Sequence, residues 1–496
     1  MIVFMNKADE SKLAMIKYLS FHPEGCALES LAEYLTLSVR TAGRYFNSLT
    51  EDCAILFHSE DFILIKQAGM ITLSVSDNLS YNYFIDRLHV MYTERSFEYT
   101  IIQTLLSKKF ATINELSEEL FISPSNLYRY LYKIEHIIQK FGMEFSFFDN
   151  QSDLNFIYEE KNIRFFSYFF YWSCIKGIHI PPFTYRKERI IQITDSLNLD
   201  DSQNWLPSKS AQISYLCYIT SVRHKQKNHT IDLSTDVQEI LTVFFEINDL
   251  SPLFLPFSTE NESMTERLFF NLFIRLTISE MDSSKIKQEI TDNLLPLDNS
   301  LTQYSYHLLK MISDTFNIHF TQEEYAHFFY YSLITFLLVD YLQINLPDEF
   351  REIQHRSIID QQTTEYNEHI LKQATLLFSD FKSKYPLPDG NERTVIGLIG
   401  IIIDSRKKSP LMIGIHYAKS IIGESVIQQK LTYMFNPENV KFTTDINKAD
   451  LIISDSYAPT NDISHFFYLD SLTDSLRWEK LFDYVKKHLS EKAFLL

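Results

Sequence analysis

The sequence predicts a mainly α-helical, multidomain protein that ends in a small α/β domain. Three observations support this prediction: a duplicated segment near the start, a long stretch without glycine in the middle, and a change of pattern after residue 385. The 496 residues suffice for about three to five domains. A hydrophobic share of 45% with 22% charged residues is typical of globular domains with sizeable cores.

The duplication relates two stretches that align without gaps. SLAEYLTLSVRTAGRYFNSL (30–49) matches ELSEELFISPSNLYRYLYKI (115–134) at an offset of 85 residues. Each copy predicts two short helices joined by a tight turn. Helical spacing of the apolar residues in each copy supports this reading.

A strand-like pair follows each copy. Residues 61–75 contain a turn near Gly69, and residues 143–160 contain one at 149–152. Helix, turn, helix and hairpin are the parts of a winged helix-turn-helix. The sequence therefore predicts two such domains, the first over 1–78 and the second over 79–165.

The second helix of the later copy has a well-formed start and two distinct faces. Ser123 is a suitable N-cap and Pro124 suits the first helical position. Leu127, Leu131 and Ile134 recur at helical spacing and predict the buried side. The outward residues are the candidate DNA-binding set of this copy: Ser125, Asn126, Tyr128, Arg129 and Lys133.

The earlier copy has the same design. Ser38 is its N-cap, and Ala42, Phe46 and Leu49 are expected to face inward. Its candidate DNA-binding residues are Arg40, Thr41, Arg44 and Asn47.

The outward residue types suit contacts with duplex DNA. Arginine pairs with guanine and asparagine with adenine, whereas serine, tyrosine and lysine bind phosphate. The same types also occur on ordinary surface helices, so it is the repetition that favours DNA. The formal net charge is −18, and residues 1–165 hold 15 Lys and Arg against 22 Asp and Glu. A positive face must therefore be local, and charge-driven affinity for phosphate modest.

The middle region predicts two helical bundles. No glycine lies between Gly177 and Gly390, and apolar residues recur at helical spacing, as in ERLFFNLFIRLTI (266–278). Proline-bearing breaks suggest a division into bundles over 166–282 and 283–388.

The last domain, over 389–496, predicts an open parallel sheet. Three short apolar runs read as buried strands: 395–403, 411–417 and 450–456. Residues 420–435 and 478–489 read as helices between and after them. Strands that alternate with helices are typical of a parallel α/β sheet.

Composition and motifs exclude several classes of function. The four cysteines are widely spaced, none follows Cys217, and no Cys and His cluster has metal-ligand spacing. Phosphate-loop, dinucleotide, zinc-protease and nucleophile-elbow motifs are absent. The apolar runs are shorter than the roughly 20 residues of a membrane span, and no signal peptide is evident. We therefore expect a cytoplasmic protein without cofactor or metal, not an enzyme, with no membrane partner.

The domain order resembles the Mga/AtxA class of virulence regulators of Gram-positive bacteria. Residues 113–142, INELSEELFISPSNLYRYLYKIEHIIQKFG, are similar to the central DNA-binding signature of that family. The resemblance implies that the bundles are PRD-like, that is, phosphotransferase-system regulation domains, and that the tail is EIIB-like. It also implies a homodimer formed through the C-terminal region. The implied partners are double-stranded promoter DNA, phosphotransferase-system phosphocarrier proteins and RNA polymerase, and the implied role is a transcriptional regulator, activating rather than repressing.

The histidines depart from the pattern of that family. Its regulation domains carry a His about seven residues before an Arg, but Leu216 precedes Arg223 by seven. In the second bundle Leu333 precedes Asp340 by the same interval. The candidate phosphorylation residues are instead His224, His229 and His327.

Two other functions use related parts. An RNA-binding antiterminator carries the same regulation domains but begins with a small all-β domain, which the helical N-terminus disfavours. A sugar phosphotransferase component would require a Cys at the end of the first tail strand, where the sequence has His416.

Overall fold

The computed structural model divides into two compact units. The first comprises residues 1–302 and 336–352, and the second 303–335 and 353–496. The structure describes residues 4–67, 69–148, 153–178, 207–224, 231–253, 264–278, 281–343, 361–385, 387, 392–404, 410–420, 422–437, 439–445, 448–455 and 466–494. The units do not coincide with the five predicted domains, whose boundaries stay a prediction.

Helices dominate the described residues. The helices are α1 Lys7–Ser20, α2 Leu28–Tyr34, α3 Val39–Leu56, α4 Tyr81–Glu94, α5 Phe97–Ser107, α6 Ile113–Glu119, α7 Pro124–Ile138, α8 Glu160–Ile175, α9 Pro207–His224, α10 Thr235–Ile247, α11 Met264–Thr277, α12 Ser284–Leu294, α13 Ser300–Phe316, α14 Gln322–Phe336, α15 Gln361–Lys384, α16 Glu392–Asp404, α17 Gly423–Met434 and α18 Ser475–Phe494. The strands are β1 Cys26–Ala27, β2 Phe62–Gln67, β3 Met70–Val75, β4 Glu144–Phe145, β5 Phe156–Ile157, β6 Leu411–His416, β7 Val440–Thr443, β8 Leu451–Ser454 and β9 Phe466–Tyr468.

The region predicted as the first winged helix-turn-helix contains α1, α2 and α3 and a three-stranded antiparallel sheet of order β1-β3-β2. The hairpin of β2 and β3 pairs Phe62 with Val75 and Gln67 with Met70. Its turn contains Gly69 at φ +83°, a left-handed conformation that glycine adopts without strain. The predicted hairpin over 61–75 is therefore present, with its turn where the sequence placed it.

The second helix-turn-helix follows on α4, which packs against α1, α3, α5 and α8. Helices α5, α6 and α7 form its helical part. In the predicted hairpin over 143–160, β4 and β5 pair Glu144 with Ile157 and Phe145 with Phe156, and the amide of Ser146 donates to the carbonyl oxygen of Asn155 at 3.0 Å. Its turn at 149–152 lies outside the described residues.

Buried ion pairs connect this hairpin to the helices that follow. The side chain of Arg164 on α8 is 1% exposed and binds Glu160 at 2.7 Å and Glu266 of α11 at 2.7 Å. Arg223 of α9 binds Glu160 at 2.7 Å and Asp153, just before β5, at 3.0 Å. Burial raises the pKa of the Glu160 carboxyl, but the two guanidinium groups outweigh it and hold the pKa below its ordinary value.

The second unit ends in a four-stranded sheet of order β7-β6-β8-β9 in which every pairing is parallel. The open parallel α/β tail predicted from the sequence is confirmed. Strands β6 and β8 occupy the predicted runs 411–417 and 450–456, and the predicted helices correspond to α17 and α18. The apolar core includes Ile413, Ile453 and Trp478.

The prediction of a strand over 395–403 is wrong. These residues belong to α16, which packs against α15. Val395, Leu398, Ile399 and Ile402 are buried, at the spacing of one helical face, whereas Ile401 is 51% exposed. A short continuous apolar run fits a buried strand or a buried helix, and here the neighbouring helix selects the second.

Candidate nucleic-acid interface

The turns of the two helix-turn-helix units have the same backbone geometry. Thr36 and Phe121, which are 85 residues apart, each have φ 53° in the left-handed region. The amide after each of them donates to the carbonyl five residues earlier, at 2.8 Å in the first unit and 3.1 Å in the second. A non-glycine residue in this conformation costs about 1 kcal/mol, so its recurrence at the repeat offset marks a shared turn.

The helices after the two turns start with equivalent caps. The hydroxyl of Ser38 accepts the amide of Thr41 at 3.2 Å, and that of Ser123 accepts the amide of Asn126 at 3.4 Å. Pro124 occupies the first turn of α7. These caps fix the starts of α3 and α7, the two recognition helices of the predicted interface.

Helix α7 has a buried face and an exposed face. Leu127, Leu131, Ile134 and Ile138 are buried. The candidate DNA-binding residues of this helix are all exposed: Ser125, Asn126, Tyr128, Arg129 and Lys133.

Helix α3 has the same arrangement with one difference. Ala42, Phe46 and Leu49 are buried. The candidates Arg40, Arg44 and Asn47 are exposed, whereas Thr41 is half-buried. The hydroxyl of Thr41 lies 2.8 Å from that of Ser38, so this side chain takes part in the cap.

Side chains on the exposed faces are partly held in place. The guanidinium of Arg129 lies 5.4 Å from the ring centre of Tyr130, and that of Arg44 lies 5.3 Å from the ring centre of Tyr45. These pairs are again 85 residues apart. A cation over an aromatic face is restricted in its motion, which lowers the entropic cost of a later contact.

Residues 81–171 match the family model of the Mga helix-turn-helix domain. We refer to residues 81–171 as the Mga domain, after the family model to which they are similar. The match spans α4 to α7, the β4–β5 hairpin and most of α8, and it confirms the resemblance inferred from residues 113–142. Domains of this kind belong to DNA-binding transcriptional regulators. A search of curated proteins found no match to the chain.

The exposed face of the Mga domain extends beyond the predicted residues. Tyr132 is 64% exposed on α7, and His136 and Lys140 are exposed further along the chain. Tyr132 and His136 continue the stripe of Ser125 and Arg129 at intervals of three and four residues. Extending the helical period past Arg129 along this stripe would have found them.

One charge of the Mga domain is partly neutralised. The ammonium group of Lys133 lies 3.3 Å from a carboxylate oxygen of Glu98 on α5. Lys133 is 59% exposed in its side chain, so this ion pair is largely solvated and weak. Such a lysine can exchange Glu98 for a phosphate, at a small cost to charge-driven affinity.

The phosphorylation candidates lie in different surroundings. Arg223, which matches the arginine of the regulation-domain motif, is buried among acidic groups, and Leu216 and Leu333 are fully buried. The imidazole Nδ1 of His224 lies 3.7 Å from Glu266. His327 is exposed on α14. His229 lies outside the described residues.

The loop after β6 is the position at which a sugar phosphotransferase component would carry its phosphocysteine. In this chain the amides of that loop bind a carboxylate of the protein. The amides of Ala418 and Lys419, after β6, donate to the carboxylate of Asp455 at 3.0 and 2.8 Å. His416 stands at the end of β6, 3.8 Å from Glu424. These backbone donors are therefore engaged by an internal carboxylate.

The cysteines are buried and reduced: Cys26, Cys53, Cys174 and Cys217. Burial raises the pKa of the Cys53 thiol to about 12, which leaves it unreactive at neutral pH. Within the described ranges, His, Cys, Asp and Glu side chains form no group that could hold a metal ion. Over the same ranges, every helix is too short or too polar to cross a lipid bilayer.

Proposed function

We propose that this chain activates transcription by binding duplex promoter DNA through α7 and α3, with α7 as the main reader. The observation that carries the proposal is the doubled helix-turn-helix, with the same strained turn, the same serine cap and an exposed polar face in both copies. The family match at residues 81–171 supports the assignment of the second copy.

Binding should depend on local contacts rather than on overall charge. The net charge of −18 opposes nonspecific attachment to phosphate. Arg129, Asn126 and Tyr128 supply base and phosphate contacts. The exposed ring of Tyr132 on the same helix favours a shape-sensitive groove contact.

The test is a gel-shift titration with a curved, AT-rich promoter fragment. The double variant Arg129→Ala with Arg44→Ala should lose about 2–6 kcal/mol of binding free energy if each arginine makes one good contact. Arg477→Ala removes the charge of a half-buried arginine of α18, outside the proposed DNA interface, and should leave affinity unchanged. Unchanged binding by the double variant, with its circular dichroism intact, would reject this assignment of α3 and α7.

We further propose that the protein acts as a homodimer through its C-terminal region and responds to carbohydrate supply through histidine phosphorylation. Phosphocarrier proteins and RNA polymerase are the proposed partners. His327 is the most accessible described candidate for a phosphoryl group, because it is exposed on α14. Incubation with a phosphorylated phosphocarrier should label the protein, and His327→Ala should remove that label. Light scattering of the protein with and without residues 389–496 tests the dimer.

RNA binding is not part of the proposal. The helices α1, α2 and α3 precede and accompany the first three-stranded sheet, whereas an antiterminator of the kind considered would begin with an all-β domain.

A further inference from the structure

Four consecutive residues connect the two recognition helices. Arg95 ends α4, and Ser96 caps α5 by accepting the amide of Tyr99 at 3.1 Å. Phe97 and Glu98 open α5. We call residues 95–98 the junction, since it lies between the two helix-turn-helix units in sequence and contacts both.

On one side the junction holds α3. A guanidinium nitrogen of Arg95 donates to Asp52, on the last turns of α3, at 2.8 Å. The same carboxylate accepts the ammonium of Lys12 on α1 at 2.6 Å and the hydroxyl of Tyr92 on α4 at 3.0 Å. The Asp52 side chain is 9% exposed, so its three partners fix one carboxylate at a largely dry position.

On the other side the junction contacts α7 through one aromatic pair and one weak, solvated ion pair. Glu98 pairs with Lys133 at 3.3 Å, and the ring of Phe97 lies 5.3 Å from that of Tyr130. Tyr130 also lies beneath the guanidinium of Arg129. The contacts that connect α3 to α7 are therefore made by Asp52 and the four residues of the junction.

Helix α4, which leads into the junction, is also bound by α8 and by the residue that follows α8. His89 of α4 donates from Nε2 to the carbonyl oxygen of Ser173 on α8 at 2.8 Å, and Lys176, which follows α8, pairs with Asp86 of α4 at 2.8 Å. Helix α4 is thus anchored on both faces, and the junction at its end has little freedom to rotate.

We infer that the junction fixes α3 and α7 at one separation and angle, so that the two units read a bipartite duplex site whose halves must lie at a set spacing. Arg95 and Asp52 are positioning residues in this arrangement, and they act through the placement of α3. The inference rests on the proposed DNA binding and adds the spacing requirement to it.

The test begins by locating the two halves of a site. Duplexes bound by the full chain are selected from a random pool of about 40 base pairs, and a selected site is footprinted. The segment unprotected in Arg44→Ala marks the half read by α3, and the segment unprotected in Arg129→Ala marks the half read by α7. Insertions of about 5 and about 10 base pairs, half a turn and a full turn, are then placed between these segments.

The wild-type protein should lose at least about tenfold in affinity on the half-turn insertion, because one half moves to the other side of the helix. Arg95→Gln, which leaves the buried pair of Lys12 and Asp52 in place, should shrink that loss to about twofold. Arg95→Lys should restore the loss. Asp52→Asn is the second variant, and it should behave as Arg95→Gln if it folds.

The design separates the competing explanations. If Arg95 contacted phosphate directly, Arg95→Gln would weaken binding to every spacing equally and lower the salt slope by about 1. That result, or a wild-type protein that binds all spacings equally, overturns the spacing requirement and leaves DNA binding in place. A wild-type protein that binds no duplex at all rejects the proposed function, and the spacing requirement falls with it.

Discussion

Acidification should loosen the contact between α4 and α8 through one buried imidazole. His89 is 2% exposed and donates to the carbonyl oxygen of Ser173. Burial first, and then the nearby charge of Lys176, lower the pKa of His89 to about 4 against the opposing effects of the Ser173 hydrogen bond and of Asp86. In the folded protein the imidazole is therefore neutral, whereas in the opened chain it takes up a proton near pH 6.5.

The loss of stability on acidification follows from the pKa of His89 in the folded protein and in the opened chain. A group whose pKa is lower in the folded state contributes stability above the unfolded pKa, and loses it as the pH falls through the folded pKa. For a pKa of about 4 in the folded protein and about 6.5 in the opened chain, the full loss is roughly 3 kcal/mol. At about pH 5 the loss is roughly 2 kcal/mol, which corresponds to a change of about 30-fold in the opening equilibrium.

Hydrogen exchange of α4 and α8 measures that opening without requiring the whole chain to unfold in one step. Between about pH 7 and pH 5, corrected protection should fall about 20-fold further in the wild-type protein than in His89→Gln. Glutamine keeps an N–H donor for Ser173 and does not titrate. His58→Gln, at an exposed position outside both helices, should follow the wild-type protein. Equal losses of protection in wild type and His89→Gln would refute the reasoning.

Three further substitutions test the buried charges and the interface. Glu160→Gln removes the carboxylate between two buried arginines and should lower the free energy of unfolding in urea by about 3–5 kcal/mol. The control Glu159→Gln, at a side chain that is 72% exposed, should lower it by less than about 0.5 kcal/mol. Ser123→Ala removes the cap of α7 and should cost about 1 kcal/mol, seen as faster amide exchange in its first turn. Glu98→Gln releases Lys133 and should tighten DNA binding severalfold with a steeper salt dependence; unchanged affinity would mean that Lys133 does not face DNA.

The helix-turn-helix could be predicted because each of its determinants is local. The cap at Ser123, the proline after it and the apolar period through Leu127, Leu131 and Ile134 all lie within a dozen residues. The repeat at an offset of 85 then supplied the cap and the apolar period a second time, at Ser38 and at Ala42, Phe46 and Leu49, although Val39 stands where the later copy has the proline. The parallel tail was likewise predictable from short apolar runs, except where such a run fitted a helix as well as a strand, as at 395–403.

The contacts that bind the parts together could not be predicted in this way. The family resemblance aligns Arg223 with the arginine of a regulation-domain motif, but it does not predict the partners Glu160 and Asp153, which are 63 and 70 residues away in the chain. Arg95 and Asp52 are 43 residues apart. No periodicity or cap encodes a pair at such separations, and a charged residue in the sequence carries no mark of burial. The sequence therefore predicts the helices α3 and α7 but not the long-range contacts that place them.

The two copies of the repeat share the backbone geometry of α3 and α7 but differ in the side chains that these helices expose. Turn, cap and arginine–tyrosine pair recur at the same offset in α3 and α7. Past the shared arginine, however, α3 exposes Asn47 and Glu51, whereas α7 exposes Tyr132 and Lys133. Two helices that dock alike but present different side chains select different base sequences. The site read by the joined units should accordingly be two unlike halves rather than an inverted repeat within one protomer, and any palindrome in a footprint must come from a second copy of the chain.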